Sequence, residues 1–362
     1  MKIPRWALIL AVAVIIAVVG ISAIVLLQSS GPPCTSTWSC AAAYPVQGVE
    51  TSGAGGERCV ASAPYILCVG GVDTDGKPHN DTFSGLVSQN GNLTAWTEGT
   101  NVYPQAISGE SCVLSSGYLY CTGGFHDATA DDTASSYYSQ VTSDGEVGTW
   151  YYAKAFPVPI DSASCVTASS NIYCIAGNNE TDGTNGTVQP SDTAWYAPLS
   201  STGIGSWNQT SSYPAGTYLP SCTASGDKVY CVGGVDSNGN PLGNSFYAAL
   251  GPKGIGEWIP TTSYPLPSTG QACDIAGGNI YCVGGATTGG QTLSYTDATY
   301  FASISSTGIG QWTDGPSYPE PIQTSCAILG SIIYCIGGFN ESPAGVSPYV
   351  RYALLASFGA LP

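Results

Sequence analysis

The sequence predicts an all-β protein, a six-bladed β-propeller that is closed by an N-terminal strand in its last blade and preceded by one transmembrane helix. Three observations lead to this prediction. Cysteines occur in regularly spaced pairs along the 362-residue chain, a longer pattern recurs about every 50 residues, and the N-terminus carries a long uncharged apolar stretch.

Six cysteine pairs share a spacing of nine residues, and an apolar run ending in Gly-Gly or Ala-Gly contains each second cysteine. This spacing fits a hairpin with a two-residue turn, such as Gly226-Asp227, which places the two cysteines opposite each other. Opposite residues on antiparallel strands have Cα atoms about 4.5 to 5.5 Å apart, which a disulfide accepts. We therefore predict six cross-strand disulfides: Cys59–Cys68, Cys112–Cys121, Cys165–Cys174, Cys222–Cys231, Cys273–Cys282 and Cys326–Cys335.

Zinc binding is the alternative interpretation of these cysteines. Structural zinc sites usually space their cysteines two to four residues apart and often include histidine, of which this chain has two. Cys34 and Cys40 lie outside the repeat and flank Trp38. The even cysteine count predicts that they bond to each other, which requires the chain to bend between them.

Disulfides persist in oxidising compartments, and the N-terminus indicates how the chain reaches one. Lys2 and Arg5 precede an uncharged stretch over residues 6–27, which as a helix is long enough to cross about 30 Å of hydrocarbon. A cleaved signal peptide is the alternative, because Gly20 to Ala23 offers small residues to a peptidase. We predict a cytoplasmic tip (1–5), a transmembrane signal-anchor helix (6–27), a linker (28–34) and an extracellular propeller (35–362) at the cell membrane.

The cysteine pairs belong to a longer repeat, in which successive first cysteines are 51 to 57 residues apart. Each copy continues with a polar loop and then an aromatic residue: Phe83, Tyr138, Tyr196, Tyr247, Phe301 or Tyr352. A Gly-rich turn, a tryptophan such as Trp207 and an aromatic-proline pair such as Tyr213-Pro214 follow in the first five copies. Each unit therefore predicts four short strands, which is one propeller blade.

The last copy ends without its tryptophan, and the missing piece stands at the start of the chain. Thr35 to Trp38 and Tyr44-Pro45 have the form of a fourth strand and its exit. We predict that this segment pairs with the three C-terminal strands of blade six, because closing the ring leaves no unpaired sheet edge.

This pattern resembles the kelch-repeat family, whose blades carry Gly-Gly after the second strand, a downstream tyrosine and a tryptophan in the fourth strand. The resemblance covers residues 35–362 and implies a kelch-type propeller. The cysteine hairpin is no general kelch feature, so it indicates a secreted, disulfide-rich branch with a membrane anchor.

The charge balance excludes one class of partner. The chain has 24 acidic and eight basic residues, a net charge of −16, and nucleic acid is an unfavourable partner for a surface of that sign. Charged residues make up only 9 percent of the chain, so its folding is expected to depend little on ion pairs.

The loops after the glycine pairs are acidic, and the topology predicts that they point away from the membrane. Their side chains offer oxygen ligands for calcium at Asp73, Asp75, Asp81, Asp236, Asn238 and Asn240. Asp, Asn and Gly are also ordinary turn formers, so the alternative is a purely structural role. We expect no cofactor, with calcium as the one alternative.

Catalytic groups are scarce in the sequence. The copper oxidases that are similar to kelch propellers use two histidines with tyrosine and cysteine chemistry, and the resemblance implies His79 and His126 as the metal candidates here. No Gly-x-Ser-x-Gly elbow, phosphate loop or HExxH helix is present, although paired loop carboxylates for glycoside hydrolysis are available.

Six Asn-x-Ser/Thr sequons predict N-glycosylation, at Asn80, Asn92, Asn179, Asn185, Asn208 and Asn340. The sequence as a whole favours a membrane-anchored extracellular module for binding or adhesion, or an accessory subunit. Its expected partner is another cell-surface protein or a glycan, and it would bind through the acidic loops. The alternative is an extracellular enzyme, either carbohydrate-active or a metal-dependent oxidase, that uses loop carboxylates or His79 and His126.

Overall fold

The computed structural model describes residues 33–45, 55–126, 132–179, 189–287, 294–341 and 345–359. The predicted cytoplasmic tip and transmembrane helix lie outside these residues. Within the described ranges, no helix is long and apolar enough to span a membrane.

The described strands form six antiparallel sheets, one for each blade, as the repeat predicts. The first strand, β1, is Ser39–Cys40, and blade 1 follows it. The strands of blades 1 and 2 are β2 (Arg58–Ser62), β3 (Tyr65–Val69), β4 (Thr82–Val87), β5 (Leu93–Glu98), β6 (Ser111–Ser115), β7 (Tyr118–Thr122), β8 (Ser136–Gln140) and β9 (Tyr151–Tyr152).

Blades 3 to 5 differ from blade 1 because two short strands occupy the place of the fourth strand. A two-residue turn leads from the third strand into the first of them, which begins at Gly203, Gly254 or Gly308, and these glycines adopt positive φ. The strands are β10 (Ser164–Ala168), β11 (Asn171–Ile175), β12 (Ala194–Ser200), β13 (Gly203–Ile204), β14 (Asn208–Gln209), β15 (Ser221–Ser225), β16 (Lys228–Val232), β17 (Ser245–Gly251), β18 (Gly254–Ile255), β19 (Ile259–Pro260), β20 (Ala272–Ala276), β21 (Asn279–Val283), β22 (Thr299–Ser305), β23 (Gly308–Ile309) and β24 (Thr313–Asp314).

Blade 6 contains strands from both ends of the chain, which confirms the predicted closure. Its sheet order is β1-β27-β26-β25, with β25 (Gln323–Leu329), β26 (Ile332–Phe339) and β27 (Val350–Leu354). A 3-10 helix, Leu355–Phe358, follows β27. Ser39 pairs with Tyr352, and the fully buried Trp38 packs edge-on against Tyr318 with ring centroids 4.9 Å apart. The strand therefore begins one residue after Trp38 rather than at Thr35.

All seven predicted disulfides are present. In each of the six hairpins the two cysteines are directly paired, and their Cα atoms are 4.0 to 4.1 Å apart, slightly closer than expected. Cys34 and Cys40 are bonded with Cα atoms 5.5 Å apart, because the chain bends so that Thr35 N–H donates to the Trp38 carbonyl.

One register differs from the sequence prediction. In blades 2 to 6 the repeated aromatic of the third strand stacks on an aromatic of the second strand, as Tyr230 does with Tyr247. In blade 1, Phe83 instead pairs with Cys68, and Ser84 takes the repeated position opposite Leu67. Phe83 was thus assigned one residue out of register, because an isolated aromatic in a strand does not reveal which face it occupies.

The first strands of all six blades surround a central channel of about 420 Å³. Neighbouring blades are connected there by serines that precede the first cysteine of their blade. Each serine Oγ accepts the N–H of the next blade's first cysteine at 2.9 to 3.1 Å, in the pairs Ser111–Cys165, Ser164–Cys222, Ser221–Cys273 and Ser325–Cys59. Arg58 and Ala272 stand at the other two positions and lack this hydroxyl.

Candidate functional site

The loops after the glycine pairs and the segments leading into the first strands lie at the same end of the propeller, which we call the top face. Backbone bridges join these segments within each blade, as between Gly55 and Val72 or between Tyr218 and Val235. β1 runs toward the top face: Ser39 pairs with Tyr352, and farther along Tyr44 N–H donates to the Pro348 carbonyl. Before β1 the described chain bends back, and the Cys34–Cys40 disulfide holds Cys34 beside Cys40.

The blade 1 loop contains the first set of predicted ligands. One carboxylate oxygen of Asp73 accepts the backbone N–H groups of Asp75 and Lys77, at 2.9 and 3.0 Å. Burial acts to raise the pKa of Asp73, but these N–H groups and His79 together lower it. The hydrogen bonds form a turn closed by its own aspartate, which is the structural role proposed as the alternative to calcium.

His79 lies between two carboxylates of the same loop. Its Nε2 is 3.1 Å from Asp73 and its Nδ1 is 3.6 Å from Asp81, whose side chain is almost fully buried. The structure thus brings Asp73, His79 and Asp81 together. Both ring nitrogens face carboxylates, so the atoms that would ligate a metal are already engaged.

The blade 4 loop repeats the turn without the histidine. One carboxylate oxygen of Asp236 accepts the N–H groups of Asn238 and Asn240, at 2.9 and 2.8 Å, and the Asn240 side chain donates to the other oxygen. These bonds lower the pKa of Asp236. The three predicted ligands here are therefore engaged with one another in an exposed turn.

The two predicted metal sets do not combine into a larger cluster among the residues described. His126 is half-buried next to Phe125, in the corresponding loop of blade 2. In the described part of the chain, no group of three or more His, Cys, Asp or Glu side chains is arranged to hold a metal ion. Calcium binding stays a prediction.

Sequence reasoning missed the most unusual polar groups of the top face, Glu57 and Glu110. They occupy equivalent positions in blades 1 and 2, two residues before the first cysteine, and are 3 percent and 0 percent exposed. None of their four carboxylate oxygens has a hydrogen-bond partner in the described structure. Burial raises the pKa of Glu110 to about 8 and that of Glu57 well above its ordinary value, and the charge of Glu110 raises the latter further.

Tyr44 contributes a third buried polar group near this pair. Its hydroxyl is unpaired among the described residues, and the side chain is 2 percent exposed. Burial raises the pKa of Tyr44, and the negative charges of Glu57, Asp81 and Glu110 add to the effect. The top of blade 1 thus gathers carboxylates, a phenol and a histidine from four separate segments of chain.

Arg58 lies beside the two glutamates and lines the channel. Its Nε donates to the Glu110 backbone carbonyl at 3.3 Å. It also takes the place of a serine that connects neighbouring blades elsewhere, so this position gives up a structural hydrogen bond for a cation. We call Glu57, Arg58 and Glu110 the channel mouth.

Comparing the same position in all six repeats of the sequence would have identified the channel mouth. The positions equivalent to Glu57 and Glu110 are Ala163, Pro220, Gln271 and Thr324, all uncharged. Chemically, buried carboxyl groups beside a cation offer both acceptors and donors to a polar ligand, because a protonated carboxyl also donates. Farther along the channel wall, Asp274 is a different case, since it accepts backbone N–H groups from Ile275 and Ile328.

The sequons occupy varied environments. Asn208 is exposed, whereas Asn80, Asn92, Asn179 and Asn340 are half-buried. The Asn340 amide nitrogen, to which a glycan would attach, donates to Glu320 at 3.1 Å, so glycosylation there would break that bond. Asn185 lies outside the described residues.

Comparison with known proteins supports the fold but does not assign a function. No protein-family model matches the sequence, and no curated protein matches it. The solved structure of YjhT is similar, with a TM-score of 0.68 and 13 percent sequence identity, over 86 percent of this chain and 97 percent of YjhT. At that identity the likeness shows a shared fold alone. The chain is a six-bladed β-propeller that carries seven disulfides.

Proposed function

We propose that this chain is an extracellular glycan-binding module of the kelch-repeat type, anchored in the cell membrane by residues 6–27. The seven disulfides support an oxidising compartment, and the positive residues Lys2 and Arg5 support a cytoplasmic N-terminus. Because β1 runs toward the top face, we expect an anchor that precedes it to turn the top face outward.

The observation that carries the proposal is the channel mouth. Glu57, Arg58 and Glu110 replace uncharged residues of the repeat, and the four buried carboxylate oxygens have no partner within the described chain. Natural proteins rarely leave buried polar groups unpaired unless a ligand, an ion or water satisfies them. Sugar hydroxyls both donate and accept hydrogen bonds, so they match carboxyl groups and a guanidinium together.

A second candidate function is acid–base catalysis on a carbohydrate at the same place. The raised pKa values of Glu57 and Glu110 favour it, because a carboxyl group that stays protonated near neutral pH is suited to act as a general acid. The oxidase alternative has less support, since both His79 nitrogens already face carboxylates.

A binding measurement on the full chain in detergent tests the proposal. We expect the wild type to bind members of a glycan array and Arg58→Ser to weaken that binding at least about tenfold. Arg58→Ser introduces the residue that four other blades carry, so folding should be preserved. Lys253→Ser, which removes an exposed cation of blade 4, is the control.

Two outcomes would contradict the binding proposal: no glycan binds, or Arg58→Ser binds as tightly as the wild type. Chromatography of the bound glycan after incubation separates the two candidate functions. Cleaved or altered sugar that is absent with Glu110→Gln would favour the enzyme.

A further inference from the structure

Among the described strands, those of blade 2 carry a pair of exposed aromatic residues that the other blades lack at the same position. Its outermost strand, β9, consists of Tyr151 and Tyr152, which are 55 and 63 percent exposed. By strand register, the equivalent pairs are Thr97 and Glu98 in blade 1, Asn208 and Gln209 in blade 3, and Thr313 and Asp314 in blade 5. An exposed tyrosine pair thus stands where three other blades are polar.

Tyr151 extends an aromatic stack that the other blades leave short. Each of blades 2 to 6 stacks one aromatic of its second strand on one of its third, and in blade 2 this pair is Tyr120 and Tyr138. Tyr151 adds a ring 5.6 Å from Tyr138, and Tyr118 adds one 6.4 Å from both Tyr120 and Tyr138. The result is a row of rings running from the blade interior to the solvent.

Tyr152 lies on the other face of the same strand. Its ring contacts Tyr137 edge-on at 5.4 Å, and Tyr137 in turn packs against the buried Tyr103. Packing beneath both exposed rings holds them in place, so a ligand would not have to order them first. Tyr118, Tyr138 and Tyr151 share one face at the outer edge of blade 2 and Tyr152 lies on the other face, and we call the four together the tyrosine platform.

We infer that the tyrosine platform is a second binding site, on the side wall of blade 2, that stacks against the sugar rings of a neutral polysaccharide. This inference rests on the proposed function, because it assigns the same ligand class to a separate surface. Aromatic faces carry partial negative charge and attract the positive C–H edges of a sugar ring, while the tyrosine hydroxyls reach its hydroxyl groups.

Charge and area both favour a neutral glycan over other occupants. The protein carries a net charge of −16, which disfavours an anionic polymer, and the four platform rings bear no charge. Because Tyr151 and Tyr152 are 55 and 63 percent exposed, the two supply roughly 200 to 300 Å² of contact. A stable protein interface needs about 800 Å² from each partner, so the platform is too small for a second copy of the chain but sufficient for sugar rings.

Affinity electrophoresis of the full chain in non-ionic detergent gels tests the inference. The gels contain hydroxyethylcellulose, galactomannan or soluble starch, and the probe is the retardation of the protein relative to a gel without polysaccharide. We expect at least one polymer to retard the wild type and Tyr151→Asn/Tyr152→Gln to weaken that binding about tenfold. Asn and Gln are the residues of blade 3, and the substitution leaves the net charge unchanged.

Two further variants show which property of the platform matters. Tyr151→Phe/Tyr152→Phe keeps the rings and should retain most of the binding, whereas Gln209→Ala in blade 3, which preserves the Asn208 sequon, should have no effect. Mass mapping of the seven disulfides and an unchanged melting temperature establish that each variant is folded.

Three outcomes would overturn the inference. The first is that no neutral polymer retards the wild type. The second is that the Asn/Gln variant binds as tightly as the wild type, or that the Phe variant loses the binding. The third is that sedimentation reveals a dimer that only the Asn/Gln variant abolishes. The test of the platform is independent of the channel mouth. If the channel mouth binds glycans, Arg58→Ser weakens binding to short glycans on the array. If the platform binds, Tyr151→Asn/Tyr152→Gln weakens the retardation by long polymers in the gel.

Discussion

The loops of blades 1 and 4 share one turn and differ in everything around it. In both, an aspartate carbonyl accepts the N–H of a glycine three residues later, at 3.0 Å for Asp73 with Gly76 and for Asp236 with Gly239. Blade 1 then places His79 and Asp81 where blade 4 has Leu242 and Asn244. Behind the loop, blade 1 has Glu57 and blade 4 has Pro220.

This difference separates the structural part of the repeat from the part available for function. The aspartate turn is common to both loops, so its carboxylate is explained by backbone hydrogen bonding. His79, the buried glutamates and Arg58 occur at the top of blades 1 and 2. They replace the uncharged residues that other blades carry at the equivalent positions. Proteins commonly accept such local conflicts at functional sites.

The largest expected effect is the pH dependence that Glu57 and Glu110 give to the top of blades 1 and 2. The pKa of Glu110 is raised from 4.5 to about 8, so its contribution to stability is complete below the ordinary value and declines as the pH rises through about 8. We expect the melting temperature of the full chain to fall over that interval. Glu57→Gln/Glu110→Gln should flatten the profile, because glutamine does not titrate. The variant should fold, since Gln271 already occupies the equivalent position in blade 5, where its side chain donates to the Val232 carbonyl.

Asp274 and Glu320 leave a residual slope in this variant, since burial raises the pKa of both. Glu257→Gln removes an exposed acid of blade 4 and is the matched control. Identical pH profiles for the wild type and the double glutamine variant would show that the pair is not what distinguishes blade 1.

The disulfides should show the opposite behaviour, with equal effects in the two blades. Cys59→Ala/Cys68→Ala and Cys222→Ala/Cys231→Ala each open a hairpin with a sequence separation of nine residues. Loop entropy predicts a loss of about 2 to 3 kcal/mol in the free energy of unfolding for each, measured by urea denaturation. A loss confined to one blade would mean that the hairpins are not equivalent supports.

The smallest expected effect concerns the serine that connects blades at the channel. Ser221→Ala removes the acceptor of Cys273 N–H, at 3.0 Å, and should lower the free energy of unfolding by about 1 kcal/mol. Arg58→Ser should raise it by a similar or smaller amount, because it offers an acceptor to the N–H of Cys112. Urea denaturation at constant pH measures both, and a destabilised Arg58→Ser would show that the arginine supports the fold.

Some features of the fold and of the candidate site were predictable from the sequence, and others were not. The hairpin register at Cys222 and Cys231 and the closing strand next to Trp38 followed from spacing, and both are confirmed. Asp73, His79 and Asp81 were singled out as ligands, and the structure brings them together within one loop, where both nitrogens of His79 face carboxylates. Glu57 and Glu110 were missed, because nothing local distinguishes a buried glutamate from an exposed one.

The sequence by itself determined the six hairpins, their disulfides and the closure of the ring, because strand pairing within a blade depends on short, repeated spacings. Only the tertiary structure decided which side chains share the channel mouth and which lie on the tyrosine platform. Glu57 and Glu110 are 53 residues apart in the chain. Their burial and their raised pKa values arise only when neighbouring blades pack side by side and exclude water from both carboxyl groups.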